Sequence, residues 1–221
     1  MKKHPQHIVA IDADCMASEF PLAQGLNRVG LPEFCEKAAS FVTIREREWL
    51  EKDPAYRQLL PYVIVTQSTP TGVRYITYRR GKGVGESRLA GNVSVGFGGH
   101  IDLADVVFDK KTSVIQLMET IGYAATREIA EELVFLDGVE EKNFDLFDVG
   151  LIVDNSNDVG CVHLGLALTA MIPADVVVQS REEELEMLAP MTARELLDSG
   201  LPLENWTRIF LDHVVSQSEA I

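Results

Sequence analysis

A short segment ending in closely spaced carboxylates is the strongest constraint on how this chain can fold. It holds four carboxylates and one guanidinium within fourteen residues: Glu119, Arg127, Glu128, Glu131 and Glu132. Ala125, Ile129 and Leu133 recur every fourth residue, which predicts a helix from about Val114 to Val134 with one apolar stripe. Positions i, i+3 and i+4 share a helix face, so the last three glutamates are expected to lie together.

Three like charges on one helix face repel one another unless a cation lies among them. Hard oxygen ligands at this density suit Mg²⁺ or Mn²⁺, which also accept water and phosphate oxygens. We expect Arg127 to pair with Glu131 or to reach back to Glu119, and so to orient the glutamates. For an acidic pattern alone, the competing interpretation is a solvated helix that binds nothing.

The spacing of these residues resembles the signature of the Nudix hydrolases, G-x5-E-x7-R-E-U-x-E-E-x-G-U, in which U is aliphatic. The part E-x7-R-E-U-x-E-E is complete from Glu119 to Glu132, and the run 98–102, Gly-Gly-His-Ile-Asp, is similar to the Gly-Gly entry of the signature. Nineteen residues separate Gly99 from Glu119 where the family has five, so about fourteen residues, roughly 103–117, are inserted. Val134 replaces the glycine of the signature, which predicts a different exit from the helix.

The resemblance implies an α/β (α+β) fold, the Nudix-type α/β/α sandwich with a mixed β-sheet. It also implies a hydrolase that cleaves a diphosphate linkage in a nucleoside diphosphate derivative or a similar compound. Its cofactor would be Mg²⁺ or Mn²⁺, held by Glu128, Glu131 and Glu132, with the carbonyl of Gly98 as an additional ligand. The metal would activate water and neutralise the leaving phosphate.

The catalytic base stays open between two carboxylates. Members of the family use either a carboxylate of the signature or an acidic residue from a later loop, so Glu119 and Glu183 are both candidates, beside the orienting role of Arg127. The run Arg181-Glu182-Glu183-Glu184 lies at a suitable place in the chain. Most charge runs are simply solvated, and this one has that alternative too.

A group of cations precedes the glycine pair. Within ten residues of an otherwise acidic chain lie four basic side chains: Arg79, Arg80, Lys82 and Arg88. We expect them, together with His100 beside the glycines, to meet the phosphates of the substrate. The alternatives are an exposed turn with solubilising charges and a turn histidine that only makes hydrogen bonds.

The rest of the chain predicts strands around this helix. Period-two and apolar runs predict strands at 62–66, 73–78, 93–97, 144–153 and 161–172, and helical segments follow at 191–197 and 204–215. We assign residues 59–221 to a Nudix domain and residues 1–58 to an N-terminal appendage. The appendage contains a predicted strand at 7–15 and predicted helices at 33–40 and 45–58. A homodimer is one way to bury its apolar strand, and its own core is another.

Bulk composition narrows the class of protein. With 221 residues and 46% apolar content, the chain can bury a sizeable core. A net charge of −14 disfavours nucleic-acid polymers and anionic membranes as partners and suits divalent cations. The resemblance to the Nudix hydrolases implies a small-molecule diphosphate as the substrate. No membrane span or signal peptide is legible, which predicts a cytoplasmic protein. Three widely separated cysteines, Cys15, Cys35 and Cys161, argue against a disulfide framework or a zinc site.

Three other functions fit parts of the sequence. Asp12-Ala13-Asp14 after an apolar run resembles the nucleophile motif of haloacid-dehalogenase-type phosphatases, although Met16 stands where the usual threonine would be. A Nudix-like domain with an altered signature can instead bind a nucleotide as a sensor without cleaving it. An isomerase on the same fold would need a cysteine or an acid pair over an allylic diphosphate, and no cysteine here has such a context.

Overall fold

The computed structural model describes residues 5–81, 90–136 and 145–219. Its strands are β1 His7–Asp12, β2 Gly25–Asn27, β3 Val42–Glu46, β4 Tyr56–Thr69, β5 Gly72–Arg80, β6 Val93–Ser94, β7 Gly96–Phe97, β8 Leu133–Phe135, β9 Leu146–Val153, β10 His163–Ile172, β11 Val178–Ser180 and β12 Leu185–Met191. Its helices are α1 Ala13–Glu19, α2 Leu31–Ala38, α3 Arg47–Leu50, α4 Leu117–Glu132, α5 Ala193–Asp198 and α6 Asn205–Glu219. No helix within these residues is long and apolar enough to span a membrane.

The chain forms two compact units. The first comprises Met1–Tyr62, Gly98–Ala125 and Asp148–Ala167, and the second comprises Val63–Phe97, Thr126–Phe147 and Leu168–Ile221. The predicted boundary between an appendage of residues 1–58 and a domain of residues 59–221 is not tested by this division and stays a prediction.

In the first unit, β1 lies between two antiparallel partners. β3 pairs antiparallel with β1, and the start of β4 also pairs antiparallel with β1. Ile8, Val9, Ala10 and Ile11 are all fully buried, so this strand is covered on both faces and reads as an unbroken apolar run. Farther along the same unit, β2 pairs antiparallel with β9, and β10 is the neighbour of β9.

The predicted helix over residues 45–58 is wrong for most of its length. Only α3 is helical there, while Val42–Glu46 and the segment from Tyr56 are strands that pair with β1. The sequence Asp53-Pro54 prevents the helix from continuing, because the residue before a proline avoids the α conformation. The predicted helix at 33–40 is confirmed as α2, whose buried residues lie at helical spacing.

The second unit is built on the β4–β5 hairpin. Thr66–Thr69 pair antiparallel with Gly72–Tyr75, as predicted, and Gly72 adopts a φ of 121° in the turn. β12 pairs with the other edge of β5, and β6 and β7 pair with β5 and β4. The sequence did not predict β8, β11 or β12. β8 and β11 have three residues each and leave little periodic signal, and β12 follows directly on the acidic run 182–184.

Hydrogen bonds show that the sheet is mixed. Arg57 near the start of β4 donates through Nη1 to the carbonyl of His163 at the start of β10, at 3.3 Å. Farther along the same strands, the Thr66 hydroxyl donates to the carbonyl of Ala170 at 3.3 Å. The neighbouring strands β4 and β10 therefore run in the same direction, whereas β5 is antiparallel to β4. This confirms the predicted α/β (α+β) class with a mixed sheet.

The inserted residues of the first unit are ordered rather than loose. Leu103–Asp105 form a turn of 3-10 helix, and Phe108 pairs with Ile115 across a tight loop. Within that loop, the carboxylate of Asp109 accepts hydrogen bonds from the backbone of Lys111 and Thr112 at 2.9 and 2.7 Å. The predicted insertion thus folds as a short hairpin-like excursion before α4 begins at Leu117.

Gly98 provides a test of how tightly the backbone is packed in the first unit. It has a φ of 153°, and a Cβ atom there would lie 1.9 Å from the backbone oxygen of Pro61. We expect Gly98→Ala to lower the free energy of unfolding by more than about 3 kcal/mol, because the backbone must move to remove the clash. Urea denaturation followed by circular dichroism measures the change.

Gly122 is the matched control, since it lies in α4 and a Cβ atom there would have no neighbour within 4 Å. Gly122→Ala should raise stability by about 0.5–1 kcal/mol through helix propensity. Equal effects of the two substitutions would contradict the close approach of Gly98 to Pro61.

Candidate active site

The helix α4 carries the charged segment, and its apolar stripe fixes which way that segment faces. Ile121, Ala125 and Ile129 are fully buried, and the helix begins three residues later and ends two residues earlier than predicted. The stripe at four-residue spacing is therefore confirmed. The carboxylates at positions 128 and 131 lie off this stripe and are partly or fully exposed.

Arg127 pairs with the carboxylates that follow it. Its Nη1 donates to Glu128 Oε1 at 2.8 Å and to Glu131 Oε2 at 3.0 Å. The predicted contact with Glu131 is thus present, and Glu128 is a second partner. Because one guanidinium joins both carboxylates, it limits the directions in which they can point. Whether this orientation serves catalysis stays a prediction.

Glu132 is the unusual member of the set. Its side chain is buried, and its Oε2 atom has no hydrogen-bond partner among the described residues. Burial, followed by the nearby charges of Glu128 and Glu182, raises the pKa of its carboxyl to about 8, although Arg80 opposes the shift. A buried carboxylate with an unpartnered oxygen is costly unless a cation or a proton joins it.

The end of α4 explains why no glycine is needed at position 134. The chain passes from Glu132 directly into β8, which pairs with β11. The backbone N–H of Arg181 donates to the Glu132 carbonyl at 2.8 Å, and its Nε donates to the Leu133 carbonyl at 3.0 Å. These bonds satisfy carbonyls that a helix end leaves unpaired, and a cation favours that end. The helix therefore ends without a glycine, as predicted: the chain passes directly into strand β8, and Arg181 bonds to the carbonyls at the helix end.

The same contacts bring an acidic turn beside the helix. Residues 181–184 are exposed between β11 and β12, and the charge of Glu182 acts on Glu132. The Glu182 backbone N–H and carbonyl both bond the hydroxyl of Ser180 at 2.9 Å, which fixes the turn. Glu182 acts on Glu132 from the position next to the predicted base Glu183, whose role stays a prediction. The sequence could not separate the two, because three consecutive glutamates carry the same signal.

Arg80 is partly exposed and bonds to two buried side chains near Glu132. Its Nε donates to Glu204 Oε1 at 2.6 Å and its Nη2 donates to the Tyr78 hydroxyl at 3.1 Å. The Tyr78 hydroxyl donates in turn to the Gly96 carbonyl at 2.8 Å. Burial acts to lower the pKa of Arg80, but Tyr78 and Glu204 keep it above its ordinary value. Sequence reasoning missed Tyr78 and Glu204, since neither belongs to a charged run or a motif.

The other predicted cations are placed differently. Arg79 pairs across strands with Glu186 at 3.0 Å and, as the neighbour of Arg80 on β5, faces the opposite side of the strand. Lys82 and Arg88 lie outside the described residues. The charge of Arg80 acts on the Glu132 carboxyl.

The remaining predicted site residues lie in the first unit. Glu119 is exposed in the first turn of α4, and Gly98 follows β7. His100 is bonded through Nε2 to Gln58 and His163, and burial, then Arg47 and His163, lowers its pKa to about 3. The roles of Glu119 as base, of the Gly98 carbonyl as metal ligand and of His100 as a substrate contact stay predictions. Asp12 caps α1 by accepting a bond from the Cys15 backbone at 2.9 Å.

Within residues 5–81, 90–136 and 145–219, two groups of side chains therefore have the donors to hold a cation. In the second unit, Glu132 offers a buried oxygen without a partner, with Glu128 nearby. Carboxylate oxygens suit Mg²⁺ or Mn²⁺, so these residues fit the cofactor that the charged helix predicted. In the first unit, donor atoms of Glu51, His100 and His163 all lie within 4.8 Å of one another.

Glu132 makes the stability of the protein depend on pH. Its carboxyl has a pKa of about 8 in the folded state and 4.5 as the ordinary value, so the folded state binds more protons between these limits. The contribution of Glu132 to the free energy of unfolding should therefore fall as pH rises from about 4.5 to 8 in the absence of divalent cations. The free energy of unfolding of Glu132→Gln, relative to that of wild type, should therefore rise by more than about 1 kcal/mol between pH 5 and pH 8.

Urea denaturation of both proteins in chelator at several pH values measures this difference. Glu184→Gln, in the exposed acidic turn, is the control and should track wild type at every pH. A constant gap between Glu132→Gln and wild type from pH 5 to pH 8 would contradict the raised pKa.

Comparisons with known proteins place the chain among relatives. No family model matches it. It is 30% identical over 164 residues to Protein YmaB of Bacillus subtilis (strain 168), a match that covers 73% of each chain.

The fold of this chain is that of a solved structure. The crystal structure of Tm1382, a protein assigned to the Nudix hydrolases, matches 96% of this chain and 99% of its own, with a TM-score of 0.72 and 24% identity. A Nudix hydrolase from Alicyclobacillus acidocaldarius matches 72% of this chain and 91% of its own, with a TM-score of 0.46 and 18% identity. The chain therefore belongs to the same family as YmaB and has the Nudix fold, the α/β/α sandwich with a mixed sheet that its charged helix predicted.

Proposed function

We propose that this protein is a Mg²⁺- or Mn²⁺-dependent hydrolase that cleaves a diphosphate linkage in a nucleoside diphosphate derivative or a similar small molecule. The observation that carries the proposal is Glu132, whose buried carboxylate has an oxygen without a hydrogen-bond partner among the described residues. Burying such a group is unfavourable unless a cation neutralises it. Glu128 and Glu131 lie on the same helix, and Arg127 forms an ion pair with each of them.

The residues divide into groups with separate tasks. Glu128, Glu131 and Glu132 would hold the ion, and Arg127 would keep the first two carboxylates oriented. The ion would lower the pKa of a bound water and offset charge on the leaving phosphate. Arg80 is charged at any working pH and acts on the Glu132 carboxyl, so it can balance part of the carboxylate charge before a substrate arrives.

Three carboxylates are candidates for the group that accepts the proton from water. Glu119 and Glu183 are the candidates that the sequence supplies, and the structure adds Glu182, whose charge acts on Glu132. Glu182 and Glu183 lie in an exposed turn anchored to the end of α4 through Arg181. That anchor would hold the turn in place during turnover.

The metal assignment is tested by hydrolysis of a panel of nucleoside diphosphate derivatives with Mg²⁺ or Mn²⁺, followed by phosphate release with a coupled phosphatase. Glu128→Gln and Glu132→Gln should each lower kcat/KM by about a hundredfold or more, since each removes a carboxylate that would hold the ion. Glu184→Gln is the matched control and should keep its activity.

Other outcomes decide against the proposal. Full turnover by the double variant Glu128→Gln/Glu132→Gln would remove the metal from the mechanism. If wild type binds Mg²⁺ and a nucleotide but cleaves nothing in the panel, the protein is a nucleotide sensor. Asp12→Asn should leave hydrolysis unchanged, because Asp12 caps a helix; its loss of activity with a stable fold would support a phosphatase of the haloacid-dehalogenase type instead.

The base is identified by comparing Glu119→Gln, Glu182→Gln and Glu183→Gln. Replacing the base should lower kcat by about 10²- to 10⁴-fold and remove the acidic limb of the pH–rate profile, with little change in Mg²⁺ affinity. Replacing either other glutamate should leave the limb in place. Retention of the acidic limb in all three variants would mean that none of them accepts the proton.

A further inference from the structure

The first unit contains a cluster of nitrogen and oxygen donors that is separate in its residues from the charged face of α4. Donor atoms of Glu51, His100 and His163 all lie within 4.8 Å of one another. Glu51 ends the short helix α3, His100 follows the glycines after β7, and His163 begins β10. We propose that these three side chains form a zinc-binding site.

The spacing of the two imidazoles carries the proposal. His100 Nε2 and His163 Nε2 lie 3.3 Å apart. Two ligands at the zinc–nitrogen distance of about 2.0–2.1 Å, separated by the tetrahedral angle, are themselves about 3.3–3.4 Å apart. The two nitrogens therefore already have the separation of neighbouring ligands on one tetrahedral zinc ion.

Hydrogen bonds prepare His163 for this role. Its Nδ1 lies 2.7 Å from the carbonyl oxygen of Val159, and a carbonyl can only accept. The proton must therefore be on Nδ1, which leaves a lone pair on Nε2 facing His100. A histidine that donates its other ring N–H to a carbonyl is the usual arrangement at metal sites, since that bond fixes the ring and its tautomer.

Gln58 places a further oxygen atom beside the two histidines. Its side chain is fully buried, and its Oε1 lies 2.8 Å from His100 Nε2. Without a metal, the His100 Nε2 proton lies toward that oxygen. On zinc binding this proton moves to Nδ1 of the same ring, and Gln58 Oε1 becomes free to act as a fourth ligand.

The donor set selects the kind of ion. Two imidazole nitrogens with one carboxylate suit Zn²⁺ and related transition metals, whereas Mg²⁺ prefers oxygen ligands alone. Glu51 is exposed and forms an ion pair with Arg47 at 3.1 Å. Zinc must therefore draw this carboxylate inward and away from Arg47. The three cysteines take no part in the site.

The test is a zinc titration by calorimetry in excess Mg²⁺, with the partly exposed Cys15 and Cys161 replaced by serine to remove their thiols as ligands. We expect one zinc ion per chain and a higher Tm in zinc, because an ion that binds only the folded state stabilises it. Glu51→Gln and His100→Gln should each weaken zinc binding at least about tenfold. Glu48→Gln, exposed on the same helix, should bind as tightly as the parent protein.

Two further measurements separate a metal site from a simple pair of hydrogen-bonded histidines. Arg47→Gln should tighten zinc binding, because it releases Glu51 from its ion pair. Co²⁺ in place of zinc should give visible absorption of tetrahedral type that is lost in His100→Gln. Glu128→Gln/Glu132→Gln should leave zinc binding unchanged, which keeps this result independent of the proposed hydrolysis. The proposal is overturned if the parent protein binds no zinc, or binds it equally well with Glu51 and His100 replaced.

Discussion

The attachment of Arg181 to the end of α4 is the interaction on which the candidate active site depends. The backbone and side chain of this residue satisfy the carbonyls of Glu132 and Leu133. Because the helix can then end without a glycine, the chain turns at once into β8 and holds the Glu132 side chain in a buried position. The same residue starts the acidic turn, so one anchor sets both the buried carboxylate and the carboxylate of Glu182 beside it.

Glu132 is buried, whereas its neighbour Glu131 is exposed, and this difference decides how costly a charge on each carboxylate is. A carboxylate in water holds its charge at low cost, but a buried one must be protonated or neutralised by a cation. Arg80 supplies part of that neutralisation, yet its own bonds go to Glu204 and Tyr78. The remaining deficit of positive charge is what makes a divalent cation a suitable partner for Glu132. Sequence spacing alone does not distinguish a solvated acidic helix from this arrangement, whereas burial does.

The sequence predicted what depends on local pattern. The apolar stripe of α4, the β4–β5 hairpin with its turn at Gly72 and the contact between Arg127 and Glu131 all follow from spacing along the chain. The helix predicted at 45–58 failed because pairing with β1 outweighed the weak helical preference of a charged segment broken at Pro54.

Contacts between residues far apart in the chain could not be predicted from local sequence patterns. Glu204 lies 124 residues from Arg80, and His163 lies 63 residues from His100, so no local signal joins either pair.

His163 shows how one side chain changes its meaning with its surroundings. As a residue of a strand pattern it is most simply a satisfied core histidine, and its bond to Val159 supports that reading. The same bond, however, leaves the second ring nitrogen with a lone pair directed at His100, which a buried position does not by itself require. The amide of Gln58 is also buried there, with its Oε1 2.8 Å from His100 Nε2. A hydrophobic core gains nothing from two imidazoles and an amide gathered in this way, whereas a metal ion would use all three.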